Sequence, residues 1–487
     1  MTARASLVEE VPEGLLIGGR WEQSRSGRTI PTYAPATGEL LAQVPLADAA
    51  DVDRAVQAAA AAFPAWAEMP GPQRGERLRA VAAALREHRE ALAHLDAVNS
   101  GNIIAGMRRD VDWAVDSLEY FAGLIPEIKG ETLPSDAALF HYTVREPFGV
   151  VAKINPYNHP VRFAAEKLAA PLAAGNTVVM KPPEQAPLSS LVLGRLLQTI
   201  LPPGVVNIVT GDGPTTGASL VRHPLVRRIA LIGSVEAGRA VMRAASDDLK
   251  TVTLELGGKN PLILFPDVDP TEAADAAVGA MNLNRAGQSC SSTSRVFVHR
   301  HLHDAFVEAL LARLRNLRVG LPDADDSQMG CLISREQHEK VLSYIETGKR
   351  EGARLLFGGG VPDDPGLRRG FFVQPTLFDG VRPEMKIAQE EIFGPVISIL
   401  TWDDEDAMLR QVNSVIYGLS AAIYTHDYAK AHRIARRIEA GYVWVNIPGG
   451  HALGSPYGGI KQSGIGREEC LDELLSYTQV KSVRMRL

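Results

Sequence analysis

Short apolar runs rich in valine and isoleucine alternate with helix-like segments between residues 149 and 254. The apolar runs cover residues 149–154, 177–180, 205–209, 229–232 and 251–254, and helical patterns at 164–174, 188–200, 215–222 and 235–246 separate them. Uninterrupted apolar runs of this kind suit strands that are buried on both faces of a parallel sheet. The alternation predicts an α/β domain with a doubly wound parallel sheet.

The remainder of the chain predicts further elements around this domain. Helical patterns at 303–317 and 336–351 and strand patterns at 295–299, 396–400, 421–424 and 442–445 predict a second α/β domain. Leucines and a valine at helical spacing predict one amphipathic helix over residues 73–99, and a segment rich in Gly, Pro and Asp predicts a surface loop at 358–370. Residues 136–146 and 476–487 alternate like strands outside both domains, so we expect another subunit to cover their edges.

Composition excludes several classes of protein. The 487 residues are 45% apolar, too many for a disordered chain, and 51 basic against 57 acidic residues give a net charge of −6 without a basic block, which argues against a nucleic-acid partner. The longest apolar run, 55–67, is short for a membrane helix and is interrupted by Pro64. The start MTARASLVEEVPEG lacks a signal-like core, and three cysteines make no disulfide framework. We expect a cytoplasmic protein without a membrane partner.

Two residues are candidates for covalent and acid–base chemistry. Cys290 lies among small residues in GQSCSS, where its sulfur is accessible as a nucleophile, although a lone cysteine is more often a buried structural residue. Glu255 ends an apolar strand before Gly257-Gly258. A carboxyl group in such surroundings acts as a general base near neutral pH or pairs with a nearby cation, and both interpretations stay open.

Two loops that follow strands are candidates for binding charge. Asn158 lies in INPYNHP, where two prolines fix the backbone, so its amide suits an oxyanion donor or simply a rigid turn. Gly233-Ser234 precedes a helix whose N-terminus offers free amides to a phosphate. This segment does not match the G-x-G-x-x-G fingerprint, and no cluster of His and Cys has the spacing of a metal site.

Taken in order, these four segments and four others resemble the aldehyde dehydrogenase superfamily across essentially the whole chain. The others are VMKPPEQAP at 179–187, GDGP at 211–214, QEEIFGPV at 389–396 and YGGIKQSGIGRE at 457–468. The resemblance implies a Rossmann-like NAD-binding domain (1–127 and 148–257), a catalytic domain (258–462) and a small β oligomerisation arm (128–147 and 463–487). It also implies homodimers or homotetramers.

The resemblance further implies oxidation of an aldehyde to its carboxylic acid with reduction of NAD. Cys290 matches the nucleophile, which forms a thiohemiacetal and then, once hydride has passed to the nicotinamide, a thioester. The side chain of Asn158 and the backbone N–H of Cys290 match the oxyanion hole. Glu255 matches the base that activates the hydrolytic water, and Lys167 matches a lysine that assists proton transfer.

Sixteen residues match cofactor contacts of the family. Glu184, with Lys181, matches a ribose contact whose carboxylate repels a 2′-phosphate, which favours NAD over NADP, while Ser234 matches the pyrophosphate site. Glu391 matches the contact to the nicotinamide ribose, beside the aromatic Phe393. The full set is Ile154, Asn155, Pro156, Tyr157, Lys181, Pro183, Glu184, Gly213, Gly217, Gly233, Ser234, Leu256, Gly257, Gln337, Glu391 and Phe393.

The positions that match the family's substrate tunnel are unusually polar. They are Trp113, His159, Arg162, Phe163, Glu166, Asn284, Ser289, Ser291, His451 and Tyr457. Many relatives have Trp at the position of Tyr157 and Phe at that of His159. Arg162 and Glu166, four residues apart on a predicted helix, either pair with each other or leave Arg162 free for a substrate carboxylate. We expect a polar or aromatic aldehyde rather than a long alkyl aldehyde.

Two alternatives to a hydrolytic enzyme remain open. Relatives that transfer the acyl group to coenzyme A commonly lack the base at the position of Glu255, and a non-catalytic scaffold protein of the same fold is expected to lose the cysteine or the base. Both residues are present here.

Overall fold

A computed structural model describes residues 11–487, so the first ten residues, on which the predicted NAD-binding domain and the argument about a leader partly depend, lie outside the described residues. The first sheet within this range has eight strands, of which the five central ones are parallel. In spatial order the strands are Arg20–Glu22, Leu15–Ile17, Val206–Ile208, Thr177–Lys181, Val150–Ile154, Val226–Ile232, Thr251–Glu255 and Gly464–Ile465.

Both faces of this sheet are covered, as the apolar runs predict. Val151 and Val178 pack into one apolar cluster with the helices on one face, whereas Val150, Ala152 and Val179 pack into another cluster on the opposite face. Successive side chains of a strand point to opposite faces, so each run needs apolar residues at nearly every position. This arrangement confirms the predicted doubly wound sheet.

The helices of the first unit include two departures from the sequence prediction. The segment 73–99 forms two helices rather than one, because His88 leaves helical geometry between them (φ −97°, ψ 15°). Pro64 lies inside a continuous helix instead of interrupting it. The helices are Ala49–Glu68, Gly71–Glu87, Arg89–Ser100, Ile104–Leu124, Pro160–Ala173, Leu188–Ile200, Ala218–Arg222 and Val235–Ser246, with a short 3₁₀ turn at Ile125–Glu127 and a π turn at Gly213–Gly217 that replaces the start of the helix predicted at 215–222.

The second sheet, of seven strands, is parallel except at one edge. Its strands are, in spatial order, Arg354–Phe357, Thr376–Asp379, Val396–Trp402, Arg295–His299, Pro261–Leu264, Ser420–Tyr424 and Tyr442–Val445. Around it lie the helices Pro270–Ala280, His303–Arg315, Arg335–Arg350, Lys386–Gln389, Glu405–Asn413 and Tyr428–Ala435 and a 3₁₀ turn at Leu283–Arg285. The loop predicted at 358–370 is a loop, and the second α/β unit is confirmed.

Three two-stranded sheets and a short helix, Leu471–Ser476, complete the described part of the chain. Two of these sheets pair Thr29–Ala34 with Glu39–Pro45 and Tyr417–Gly418 with Ile460–Lys461. The third pairs Leu139–Pro147 with Thr478–Arg486 and is called the arm below; its strands begin two or three residues later than the patterns at 136–146 and 476–487. The predicted division into domains remains a prediction.

Every helix within residues 11–487 is too short or too polar to cross a lipid bilayer.

Candidate active site

The site lies at the carboxyl ends of parallel strands of the first sheet. Asn158 follows Val150–Ile154, Ser234 follows Val226–Ile232, and Glu255 is the last residue of Thr251–Glu255. Because parallel strands end at the same edge, these side chains converge where ligands bind in open α/β sheets. Cys290 comes from the second unit, in the segment between a 3₁₀ turn and the strand Arg295–His299.

Two cavities meet at Cys290 and Glu255. The cofactor-side cavity has a volume of about 250 Å³, and its predicted lining residues are Pro156, Tyr157, Asn158, Gly233, Ser234, Gly257, Gln337, Glu391 and Phe393. The substrate-side cavity has a volume of about 310 Å³, and its predicted lining residues are Trp113, His159, Arg162, Phe163, Lys167, Asn284, Ser289, Ser291, His451 and Tyr457. The nucleophile candidate and the base candidate are thus reachable from both sides.

Cys290 is held by its backbone while its sulfur faces the cavities. The Asn260 side chain donates to the carbonyl oxygens of Cys290 and Ser292, at 2.7 and 3.0 Å. A Cβ at Gly258 would lie 2.7 Å from the Cys290 carbonyl oxygen, so only glycine permits this approach. Burial, followed by the neighbouring Glu255 carboxyl, raises the pKa of the Cys290 thiol well above its ordinary value. The resting thiol is therefore protonated at neutral pH and needs a base.

Glu255 is a buried carboxyl group with an unused oxygen. Burial, with the charge of Glu468, raises its pKa to about 8, and its Oε1 has no hydrogen-bond partner among residues 11–487. A carboxyl group with these properties accepts a proton near neutral pH. Asn158 lies beside it with Oδ1 likewise unpartnered within the described range, and the side chain of Asn102 donates to the Asn158 carbonyl at 3.1 Å.

A chain of buried ion pairs forms one wall of the substrate-side cavity. Arg162 Nε donates to Glu166 at 2.7 Å, and Arg162 Nη2 donates to Glu469 at 3.1 Å. Of the two interpretations left open by the sequence, the structure therefore has the pair, and Arg162 is occupied by two carboxylates. Lys167 Nζ lies 2.6 Å from Glu166 and 3.0 Å from Glu468. Glu166 itself lines neither cavity, because it lies behind Arg162 and Lys167.

Two carboxylate–imidazole pairs also face the substrate-side cavity. His159 Nδ1 lies 3.0 Å from Asp110, which also accepts from Arg285 Nη2 at 2.7 Å. His451 Nδ1 lies 2.8 Å from Glu469. The His451 ring stacks on Tyr457 at 4.0 Å between centroids, and the Tyr457 hydroxyl is 3.9 Å from Cys290 Sγ.

The cofactor-side cavity combines a helix N-terminus with a buried carboxyl group. Ser234 caps the helix Val235–Ser246, accepting from the N–H of Ala237 at 3.1 Å. Glu391 accepts from the N–H of Gly258 at 3.1 Å, and burial raises the pKa of Glu391 to about 7. A Cβ at Gly257 would lie 2.1 Å from a Glu391 oxygen, so a larger residue there would displace the Glu391 carboxyl group.

The Gln337 side chain supports the loop that carries Phe393. Gln337 Nε2 donates to the carbonyls of Ile392 and Phe393, at 3.0 and 2.8 Å. Phe393 has a left-handed backbone (φ 58°), a strained conformation for a bulky residue, and its ring meets Tyr157 edge to face.

Eight predicted cofactor residues do not line this cavity. Lys181 ends the strand Thr177–Lys181, and burial lowers its pKa to about 8, opposed by the charges of Glu184 and Asp212. Lys181, Glu184 and Gly217 therefore form a second group beyond the cavity. The residues outside the cavity lining are Ile154, Asn155, Lys181, Pro183, Glu184, Gly213 and Gly217, and Leu256 is a further one that packs in the core.

Sequence reasoning missed several residues of the site. Asp110 lies on the buried face of a helix, a position that its apolar neighbours Met107 and Val111 indicate. Lys340 lines the cofactor-side cavity one helical turn after Gln337. Asn260, Arg285, Glu468 and Glu469 were also missed, although Asn260 lies two residues after the predicted glycine turn. Among residues 11–487 no group of three His, Cys, Asp or Glu side chains is arranged to hold a metal ion.

Comparison with known proteins gives concordant matches along nearly the whole chain. Residues 21–483 match the model of the Aldehyde dehydrogenase family. The chain is 48% identical to aldehyde dehydrogenase tropH of Talaromyces stipitatus, over 97% of this chain and 93% of that protein. It superposes with a TM-score of 0.96 on an aldehyde dehydrogenase from Bacillus cereus in complex with NAD⁺ (39% identity; 100% and 99% of the chains). It superposes equally on betaine aldehyde dehydrogenase from Staphylococcus aureus with NAD⁺ (0.96; 35% identity; 99% and 97%).

Proposed function

This chain belongs to the aldehyde dehydrogenase family, and we propose that it oxidises an aldehyde to the carboxylic acid with NAD, through a thioester on Cys290 that water hydrolyses. The observation that carries this proposal is the junction of two cavities at Cys290 and Glu255. A nucleophile and a base reachable from both sides allow the aldehyde to enter on one side and the hydride acceptor on the other.

In the first half of the reaction, the Cys290 thiol loses its proton to Glu255 and adds to the carbonyl carbon. The thiolate forms a C–S bond, and the carbonyl π electrons move to oxygen. Asn158 and the backbone N–H of Cys290 stabilise the resulting oxyanion of the thiohemiacetal. The donor of the Asn158 amide is its Nδ2, on a side chain that lines the cofactor-side cavity together with Cys290.

In the second half, the oxyanion re-forms the carbonyl group as its carbon releases hydride, which a bound nicotinamide would accept, and a thioester results. Glu255, which has by then passed on the proton of the thiol, takes a proton from water, whose oxygen attacks the thioester. The C–S bond breaks, the acid leaves, and the thiol is restored on Cys290. The pKa of Glu255, raised to about 8, suits a base that must gain and then release a proton. Lys167 and Glu468, whose side chains lie 3.0 Å apart, would accept the proton that Glu255 releases and pass it on.

The cofactor-side cavity suits a dinucleotide. The N-terminus of the helix Val235–Ser246 and the ammonium of Lys340, which has no ion-pair partner among residues 11–487, would hold the diphosphate. Glu391 would accept hydrogen bonds from the nicotinamide ribose. At the adenosine ribose, Glu184 would accept hydrogen bonds and Lys181 would donate one. The carboxylate of Glu184 supports NAD over NADP through repulsion of a 2′-phosphate. NAD, when bound, supplies the hydride acceptor.

The substrate we propose is a polar or aromatic aldehyde. Trp113, Phe163 and Tyr457 give the substrate-side cavity aromatic walls, and the polar groups among them are oriented by buried carboxylates. Polar groups in such a cavity cost free energy unless a ligand or water satisfies them. A long alkyl aldehyde cannot do so.

The retained base supports hydrolysis over transfer to coenzyme A, and the retained cysteine opposes a non-catalytic role. Measuring NADH formation from benzaldehyde, with and without coenzyme A, distinguishes a hydrolytic enzyme, an enzyme that transfers the acyl group to coenzyme A and a non-catalytic protein. We expect coenzyme A to have no effect, Cys290→Ala to abolish activity, and Cys331→Ala, in a cysteine buried away from both cavities, to retain it. Glu255→Gln should slow the first turnover of NADH, because the thiol loses its base, and should lower steady-state turnover at least ~100-fold, because the hydrolytic water loses its base too. An active Cys290→Ala variant would refute the proposal.

We also propose that the arm joins two copies of the chain. A two-stranded sheet is marginally stable alone in water. On one face of the arm the cross-strand pairs Phe140–Met485 and Tyr142–Val483 form an apolar surface, with Phe140 and Met485 37% and 43% exposed. A second copy covering this face would bury it, as the family resemblance implies.

A further inference from the structure

The imidazole of His159 is fixed in one orientation beside the reacting centre. Pro160 follows it directly, and the His159 carbonyl accepts from the N–H of Phe163 at 2.9 Å, which begins the helix Pro160–Ala173. Its Nδ1 lies 3.0 and 3.1 Å from the two oxygens of Asp110. Since Asp110 is itself held by Arg285, the ring has little freedom to rotate.

The surroundings of His159 determine which ring nitrogen carries the proton. Burial, followed by the charge of Arg285, lowers the pKa of His159 to about 4, so the ring is neutral at pH 7. Although burial opposes it, Arg285 and His159 hold the pKa of Asp110 at about 2, so that carboxylate is ionised. The one ring proton therefore lies on Nδ1, where it is donated to Asp110, and Nε2 carries a lone pair.

Nε2 of His159 is a hydrogen-bond acceptor with nothing to accept from. The side chain is nine-tenths buried, and Nε2 has no hydrogen-bond partner among residues 11–487. Nε2 is nevertheless not fully enclosed by protein atoms. Because His159 lines the substrate-side cavity, its open atom faces that space. An acceptor left unpaired there favours a ligand that brings a donor.

The same cavity offers little to a substrate carboxylate. The guanidinium of Arg162 is paired with Glu166 and Glu469, and that of Arg285 with Asp110, so both charges are compensated, although Arg285 Nη1 is a buried atom without a hydrogen-bond partner among residues 11–487. The remaining guanidinium at this cavity is that of Arg109, which is exposed at its edge. The aromatic walls and a volume of about 310 Å³, near the lower end of ligand pockets, suit a single ring.

We propose that His159 determines specificity by accepting a hydrogen bond from a ring hydroxyl, so that the substrates are hydroxylated aromatic aldehydes. This rests on the proposed oxidation of aldehydes and narrows it. His159 is a binding residue in this role, since Glu255 supplies the base.

The test compares donors with substituents of similar size that cannot donate. The three hydroxybenzaldehydes, the three fluorobenzaldehydes and benzaldehyde are oxidised with NAD, and kcat and KM are measured for each. For the isomer whose hydroxyl reaches Nε2, kcat/KM should exceed that of the matching fluoro compound about tenfold, mainly through KM, because the bond is made before the transition state as well as in it.

Two replacements separate the two nitrogens of the ring. His159→Asn keeps a donor near Nδ1 for Asp110 but removes the acceptor, so the hydroxyl-to-fluoro ratio should fall to about one. His159→Gln puts an amide oxygen near the position of Nε2 and should retain part of the preference. His303→Asn, which removes another carboxylate-bonded histidine far from the cavity, should leave the ratio unchanged.

Each outcome decides a different point. No NADH with any aldehyde refutes the proposed function. If the native enzyme oxidises benzaldehyde but has equal kcat/KM for the hydroxyl and fluoro compounds, the role of His159 is refuted while the proposed function stands. The same conclusion follows if His159→Asn leaves the hydroxyl-to-fluoro ratio of kcat/KM unchanged. A clear preference for carboxybenzaldehydes that Arg109→Gln removes would replace it with recognition of an anion.

Discussion

At the scale of single residues, the protonation of Glu255 sets the pH dependence of turnover. The pKa of this carboxyl is raised to about 8, first by burial and then by the charge of Glu468. A base works only when ionised, so the steady-state rate should rise as the pH passes through about 8 and level off above it. Measuring kcat from about pH 6 to about pH 10 covers the transition.

Glu468 provides the control for this pH profile. Glu468→Gln removes a negative charge near Glu255, so the pKa of Glu255 should fall and the profile should move to lower pH. Lys167 loses its ion pair with Glu468 in this variant, so its positive charge should lower the pKa of Glu255 further. A profile that stays in place or moves to higher pH would contradict the assignment of the limb to Glu255.

Site residues that occur in sequence motifs can be predicted from the sequence, whereas the residues that pair with the site from other parts of the chain cannot. Cys290, Glu255 and Asn158 each occur in a motif and meet at one junction, as the resemblance implies. Asp110 and Glu469 escape notice because each pairs with a residue from another part of the chain, Arg285 and His451 respectively. A single sequence records neither the distance between such residues nor their burial.

At the scale of elements, apolar runs predict the buried strands of the first sheet to within three residues, since burial on both faces leaves few polar positions. The break at His88 was missed for the opposite reason. Leu85 and Leu92 keep a helical spacing across it, and both are buried. A break that preserves the apolar stripe leaves no signal in the periodicity.

Gly101 illustrates how tightly a helix end can be packed. It ends the helix Arg89–Ser100 with a left-handed backbone (φ 82°), and a Cβ there would lie 2.6 Å from the sulfur of Cys331. Gly101→Ala should therefore cost the conformational strain of ~1–2 kcal/mol plus ~1–3 kcal/mol for overpacking. Chemical denaturation followed by circular dichroism measures the loss.

Gly27 is the matched control for Gly101. Its backbone is also left-handed (φ 63°), but no atom lies within 4 Å of the position of an added Cβ. Gly27→Ala should show the strain alone and so destabilise the protein less. Equal losses in the two variants would mean that the contact with Cys331 relaxes without cost.

At the scale of the whole molecule, the site depends on both sheets. Glu255 and Asn158 come from the first unit, whereas Cys290 is anchored by Asn260, whose Oδ1 accepts from the N–H of Ser420 in the second sheet. The antiparallel strand Gly464–Ile465 returns to the first sheet and pairs with Leu254 and Glu255. The reacting groups are therefore placed by contacts between chain segments far apart in sequence.

The assembly of the protein depends on the apolar face of the arm in the same proposal. If a second copy covers its apolar face, a charge there must break the contact, because an unpaired carboxylate in an apolar interface is costly. Phe140→Glu combined with Met485→Glu should yield monomers by light scattering after gel filtration, where the native chain gives dimers or tetramers. Leu249→Glu, at a leucine 90% exposed away from the arm, should leave the assembly unchanged. An intact oligomer in the double variant would place the interface elsewhere on the molecule.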